Sequence, residues 1–137
     1  MSAAILAKAE NLLSQCQVIA LASVSETGFP RACVMARVRN DGLKTIWVAT
    51  GITSRKTIHF QANPKASVCF SAGHDSVTLI GTVQIFTDTQ TKEDIWQDWF
   101  INFFPGGAAD PNYCVLRFTA AEATLWIDNC FETVTLT

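Results

Sequence analysis

The feature that most constrains this chain is a succession of short β-prone runs closed by turn signals. The first run, Val18-Ile19-Ala20-Leu21-Ala22-Ser23-Val24, ends at Ser25-Glu26-Thr27-Gly28, the second, Arg31 to Val38, ends at Asn40-Asp41-Gly42, and a third spans Thr45 to Thr50. Runs of this length separated by Gly-containing tetrapeptides predict antiparallel hairpins, with Asp-Gly the stronger turn signal. Two more strands are predicted from Ala66 to Ser71 and from Ser76 to Thr87, the second long enough that Gly81 is expected to mark a bend or bulge. Tyr113 to Thr119, Ala123 to Ile127 and Phe131 to Thr137 supply the last strands.

Helical periodicity is confined to three places. Residues 2 to 15 carry Ile5, Leu6, Leu12 and Leu13 on one broad face, and a helix of about two turns follows Thr50 and runs to Gln61, stopped by Asn63-Pro64. From Gln90 to Phe104, Trp96, Trp99, Phe100 and Phe103 fall at i, i+3, i+4 and i+7, and Phe104-Pro105-Gly106-Gly107 ends the pattern. The bland reading of that stripe is a packing face; the sharper one is that a ring leaves the core to line a ligand site or a subunit contact. Helices do not alternate with strands, and no GxGxxG or GxxxxGK[ST] loop is present, which disfavours the parallel nucleotide-binding folds. The pattern predicts a single domain over 1–137, mainly β, built as a six-stranded antiparallel Greek-key barrel, closed or split, with one helical crossover late in the chain.

Composition narrows the partners. Hydrophobic residues make up 49% and charged residues 16%, so much of the surface is apolar and a homodimer is expected to cover it. A net charge of −2 argues against nucleic acid as the main partner, because phosphate-backbone binding needs a broad basic surface. The apolar opening Ala3-Ala4-Ile5-Leu6-Ala7 is interrupted by Lys8 and Glu10 before reaching signal-peptide or membrane-span length, which predicts a cytoplasmic protein with no membrane partner. Five cysteines at irregular separations with no CxxC read as reduced, mostly buried thiols. His59 and His74 belong to no metal motif and read as surface or helix-end residues, so no metal site is expected.

Against that background Thr50-Gly51-Ile52-Thr53-Ser54-Arg55-Lys56 stands out. The first turn of a helix is already positive, so two adjacent cations there cost up to about 1 kcal/mol unless an anion is bound. A phosphate would accept from the free N–H groups, from the Thr50 and Ser54 hydroxyls and from Arg55 and Lys56 at one point. An exposed helix end with solvated basic side chains is the other reading. On the second strand, alternation puts Arg31, Cys33, Met35 and Arg37 on one face and Ala32, Val34, Ala36 and Val38 on the other. Arg31 and Arg37 are then roughly 20 Å apart, too far to grip one phosphate, so one is a candidate site residue and the other a solvated strand end. The small face would suit a flat aromatic ring, or a core Trp.

These pieces resemble one family. Arg31-Ala-Cys-Val-Met, Thr50-x-x-x-Ser54-Arg55-Lys56, Asn63-Pro64-Lys65-Ala66, Gly81, Phe104-Pro105-Gly106-Gly107 and Asp110-Pro111 occur in the order found in the flavin-binding split-barrel proteins related to pyridoxamine 5′-phosphate oxidase, and in particular the general stress protein 26-like branch. The resemblance implies FMN bound at a homodimer interface. It implies that Arg31, Thr50, Ser54, Arg55 and Lys56 hold the phosphate and ribityl chain, that main chain at Val34 and Met35 lies along the isoalloxazine, and that the partner subunit supplies rings, Trp99 or Trp126. The catalytic residue it leaves unknown.

The departures matter too. The vitamin B6 oxidase carries a Lys five residues after the Arg, where this chain has Ala36, and no cation occurs between Lys92 and Arg117 or after Arg117. A phosphorylated substrate lacks a counter-charge, so the expectation is a flavin-dependent oxidoreductase of small, apolar or quinone-like molecules with a nicotinamide cofactor as electron donor, and not a pyridoxamine 5′-phosphate oxidase proper. The alternatives are a protein that holds a flavin, deazaflavin or haem without turnover, and a dimeric stress protein with a vestigial pocket.

Overall fold

Sequence alternation becomes burial in the computed structural model, which describes residues 3–137. Along β1 (Val18–Val24) and β4 (Thr45–Gly51) alternate residues are buried, placing Ile19, Leu21 and Ser23, and Ile46, Val48 and Thr50, on the core side. β2 (Pro30–Ala36) returns along β1 after a turn in which Gly28 takes φ +88°. With β3 (Arg39–Asp41), β5 (Lys65–Ala72), β6 (Asp75–Phe86), β7 (Tyr113–Ile127) and β8 (Cys130–Thr135) they form one antiparallel sheet in the order β2-β1-β5-β6-β7-β4-β3, with β8 also paired to β7. β2 and β3 are neighbours in sequence but end strands of the sheet, so the sheet curls back on itself, and Val38 N–H donates to Trp47 O at 3.1 Å where the connecting chain joins β4. The result is a mainly β split barrel.

The sheet has eight strands where six were expected. Part of the difference lies at the Asn40-Asp41-Gly42 turn, which joins β3 to β4, because β2 already ends at Ala36. Arg37 explains the break. Its Nε donates to Cys16 O at 2.9 Å, one terminal nitrogen to Ser14 O at 3.1 Å and the other to Asn40 Oδ1 at 2.9 Å. Helix α1 (Ala3–Gln15) has no basic residue in its last turn, and Arg37 supplies the missing cation and donors to that end. Arg37 is therefore a fastening between helix and sheet, not the solvated strand end considered from the sequence. Residue 2, assigned to this helix from the sequence, lies outside the described residues.

The two strands expected between Tyr113 and Ile127 are one, bent by a bulge. The pairing of β6 with β7 shifts between Ile80 and Gly81, whose partners are Glu122 and Ala120, leaving Ala121 as the extra residue. A Cβ on Gly81 would lie 1.9 Å from Thr119 O, so only glycine fits there.

The helix expected over Gln90–Phe104 breaks early. α3 (Thr89–Ile95) is capped by Asp88, whose side chain accepts from Thr91 N–H, and it stops at Trp96 (φ −53°, ψ 136°) before a 3-10 turn over Asp98–Asn102. The extended step at Trp96 and Gln97 sets the Trp96 ring edge-on to both Phe100 and Tyr113, at centroid distances of 5.3 Å. Tertiary aromatic packing has overridden the helical period, and the stripe divides: Phe100 is buried, while Trp99 and Phe103 are exposed. Ile95, Phe100, Phe104, Tyr113 and Val115 form a second core beneath this crossover, separate from the one inside the barrel.

Lys92 fastens the crossover's base. Its side chain is 7% exposed, its Nζ donates to Asp110 O at 2.9 Å and lies 5.3 Å from the Tyr113 ring centre, and Tyr113 O–H donates to Lys92 O at 2.9 Å. Burial pushes the Tyr113 hydroxyl up to about 12, so it remains a donor at neutral pH. The Asp110 carboxylate accepts from Asn112 and Gly106 N–H, which hold it below the usual carboxylate range.

Among the cysteines the expectation of mostly buried thiols is corrected. All five are free, but only Cys114 is buried, Cys16 and Cys33 are partly covered, and Cys69 and Cys130 are exposed on outer strand positions. No described helix is long and apolar enough to cross a membrane.

Candidate functional site

β4 delivers the chain to helix α2 (Arg55–Ala62) through a turn whose hydroxyls form a directed chain. Lys56 Nζ donates to Thr50 Oγ1 at 3.1 Å, and the Thr50 hydroxyl donates to Ser54 Oγ at 3.2 Å. Thr57 gives its hydroxyl proton to Gly51 O at 2.8 Å, so the 2.7 Å contact between Ser54 and Thr57 has Ser54 as donor. Ser54 also caps the helix, accepting from Thr57 N–H. Thr50 and Thr57 are buried, which fixes the turn, whereas Arg55 is exposed and Lys56 partly so. Lys56 uses one of its ammonium hydrogens in this way; its other donors and those of the Arg55 and Arg31 guanidinium groups meet no acceptor among the described residues.

Beside this turn, the split between β2 and β4 opens into a cleft of about 490 Å³. Its floor is main chain and small side chains, Val34, Met35 and Ala36 from β2 and Ala49, Thr50 and Gly51 from β4. Its wall is aromatic: Trp99, Phe100, Phe103 and Phe104 from the crossover, with Trp99 and Phe103 edge-on at 6.1 Å. Asn112 is the remaining lining residue, its amide packed against Gly51 Cα, where a Cβ would come within 3.3 Å of Asn112 Oδ1. Facing the cleft, β2 is an edge strand, paired on its other side with β1. No lining side chain is titratable, and the nearest cation on the crossover, Lys92, is committed to Asp110 O.

The sequence-derived residues divide accordingly. Val34, Met35, Thr50 and Trp99 line the cleft, and Ser54 and Lys56 join it through the hydroxyl chain. Trp99 lines this chain's own cleft, although the resemblance placed such rings on the partner. Arg55 lines a second recess of about 370 Å³ with Ser25, Glu26, Thr27, Ile58 and His59. Arg31 lies on β2 across from Ser23 of β1, which puts its side chain on the sheet face that Ser23 shares with α2. Trp126 is remote from the cleft, near the other end of β7, where it pairs with Phe131 at 6.1 Å. His59 lies in the last turn of α2, as a helix-end residue, but is buried and not on the surface, its Nδ1 lying 2.8 Å from Ser23 Oγ.

Sequence reading missed Phe104, Asn112, Thr57 and the Ser23–His59 pair, while Phe103 was named in the aromatic stripe as one of the rings that could line a ligand site. Thr57 was discoverable as a hydroxyl one turn into the helix from Ser54. Asn112 follows the Asp110-Pro111 turn signal, but nothing local ties it to Gly51, sixty-odd residues away.

The family profile described as Pyridoxamine 5′-phosphate oxidase matches residues 5–127 of the chain. The chain belongs to the pyridoxamine 5′-phosphate oxidase family. A protein related to general stress protein 26 (pyridoxinephosphate oxidase family) from Clostridium acetobutylicum superposes with a TM-score of 0.89 at 26% identity, over 99% of this chain and 97% of that one. General stress protein 26 from Bacillus anthracis superposes at 0.80 and 21% identity, over 96% and 98% of the two chains. A heme binding protein from Mycobacterium smegmatis shares the fold, with a TM-score of 0.76 at 13% identity, over 98% of this chain and 59% of that chain. A search of curated protein sequences finds no match to the chain. In this chain the residue five positions after Arg31, Ala36, lines the cleft with a methyl group and brings no charge to it.

Proposed function

We propose that this member of the oxidase family is an FMN-binding, general stress protein 26-like flavoprotein that catalyses electron transfer to a small, uncharged, apolar or quinone-like molecule. The observation that carries this is the union of two unlike surfaces: open cationic donors at the start of α2 beside an apolar cleft in which no cation faces the ligand. A phosphate fits the first and a flat ring the second. The residues present suit FMN on both counts, since Lys56, Arg55 and the first-turn N–H groups match a phosphate, while Val34, Met35, Ala36 and Ala49 leave room for a ring against the backbone. When bound, the flavin supplies two-electron chemistry that none of the lining side chains can perform. The protein's part is to hold the phosphate, shelter the ring behind Trp99 and Phe103, and exclude charged substrates, because Lys92 is unavailable as a counter-charge.

A homodimer belongs to this proposal. Val34, Trp99 and Phe103 are exposed at the cleft mouth and Trp126 and Phe131 at the far end of the sheet, an amount of open aromatic surface that a second copy would cover. A nicotinamide cofactor as electron donor and a cytoplasmic setting complete it. The second reading, a flavin carrier without turnover, is favoured by one observation: no titratable side chain lines the cleft to move a proton.

The test is spectroscopic. Titrated with FMN, the protein is expected to take up one flavin per chain with a perturbed absorption band; no uptake overturns the proposal. Bleaching by NADH or NADPH followed by recovery with a quinone supports turnover, and a bound flavin that neither reagent changes leaves the carrier. Sedimentation showing only a 15.0 kDa species would overturn the dimer.

A further inference from the structure

We propose that the buried hydrogen bond between Ser23 and His59 is the positioning element of the phosphate clamp, setting Arg31 of β2 and Arg55 of α2 toward the same anion. The inference rests on the flavin reading above and adds two positioning residues to it.

Ser23 Oγ and His59 Nδ1 are 2.8 Å apart, with exposures of 2% and 6%. A polar pair sealed in this way costs more than an apolar contact unless both members are satisfied, so packing alone does not call for it. What a hydrogen bond adds is direction: it fixes both the rotation of α2 and its position along the β1–β2 hairpin. Both flanks of the bond carry an arginine. Ser23 is the cross-strand partner of Arg31, so the two side chains leave the hairpin on the same face, the one on which His59 meets it. Arg55 precedes His59 by four residues, so the two share one face of α2, and both line the same recess. A slip of α2 by a single residue would turn Arg55 by about 100° and carry it away from the recess it shares with His59.

The second ring nitrogen of His59 strengthens the assignment. It meets no partner among the described residues, yet it is not one of the sealed polar atoms left without one, so it reaches the recess that Arg55 lines. An imidazole held by Ser23 at one nitrogen and open at the other has one orientation relative to whatever Arg55 binds.

The test compares FMN with riboflavin, which differ by the phosphate alone, by fluorescence titration of the full chain and its variants. His59→Leu is expected to weaken FMN about tenfold or more while riboflavin changes less than about twofold, and Ser23→Ala to act in the same sense by about threefold to fivefold. His59→Asn, whose amide places a polar atom where Nδ1 stood, is expected to return FMN to within about threefold of wild type. Should His59→Leu fail to fold, Ser23→Ala, which removes one hydroxyl, carries the test. An unchanged FMN-to-riboflavin ratio in Ser23→Ala, or equal losses for both flavins, overturns the positioning role while leaving the flavin site intact. A wild-type protein that binds neither flavin overturns the proposed function itself, and the positioning role with it.

Discussion

At the base of the crossover, Lys92 sits beneath the chain with its ammonium on the Asp110 carbonyl and its charge over Tyr113. At the start of α2, Arg55 and Lys56 stand at a helix end that is already positive, with most of their donors open. Both regions carry a cation, yet only one leaves its donors open. The difference teaches that the charge available to a substrate is the formal charge less what the fold has taken, and here the fold has taken it from the aromatic side. Arg37, held by two carbonyls at the end of α1 and by Asn40 of β3, is a second case of a cation absorbed by structure.

That contrast can be broken by mutation. The largest expected effect is at Lys92, where Lys92→Ala removes one of the two donors to Asp110 O, the other being Tyr113 N–H, and opens a cavity, costing about 2–4 kcal/mol in urea unfolding. Lys92→Met keeps most of the packing and should cost about 1–2 kcal/mol, and neither variant should alter the preference for FMN over riboflavin. A Lys92 variant that folds normally but gains or loses a ligand would end the comparison. Lys56→Ala or Arg55→Ala should do the reverse, weakening FMN by about 1.5–3 kcal/mol while the unfolding midpoint moves little, because these donors serve no fold contact beyond Thr50. Equal losses for FMN and riboflavin would show the clamp to be misassigned. Arg37→Ala should cost about 1–1.5 kcal/mol of stability, with Arg37→Lys a poor rescue, since an ammonium cannot reach three divergent acceptors.

The smallest effect sharpens the contrast by acid. The Asp110 carboxyl titrates below its unfolded value, so the unfolded chain binds the proton first, and the stability it lends is complete above the ordinary carboxylate pKa and lost progressively as pH falls from there through the lower, folded value. Tryptophan fluorescence should therefore report loosening of the 105–112 loop below about pH 4. Loosening that begins at neutral pH would assign the loop's anchor to another group.

Much of the barrel was legible because its signals are local. β1 ends where alternation and the Ser25–Gly28 turn place its ends, and Gly81 marks a bulge because a long strand with one glycine must bend there. The proposed clamp rests on an equally local signal, a misfit between cations and a helix start within seven residues. What stayed hidden depends on distant partners. Arg37 finds Ser14 and Cys16, Lys92 finds Asp110, and His59 finds Ser23, and nothing in the neighbourhood of Arg37 or Lys92 distinguishes them from Arg55. The aromatic stripe misled for a related reason: Trp96 and Phe100 answer to Tyr113, which lies beyond the period that relates them to Trp99 and Phe103.

The open edge of β2 also bears on how the protein behaves in the tube. Natural sheets guard such an edge with proline or charge, and here Pro30 and Arg31 guard one end while Ala32 to Ala36 are bare. The same unpaired main chain that can lie against a flat ring can template another strand. Colloidal stability at high concentration thus becomes a readout of occupancy: a preparation whose cleft is filled should stay clear under conditions in which an empty one forms aggregates.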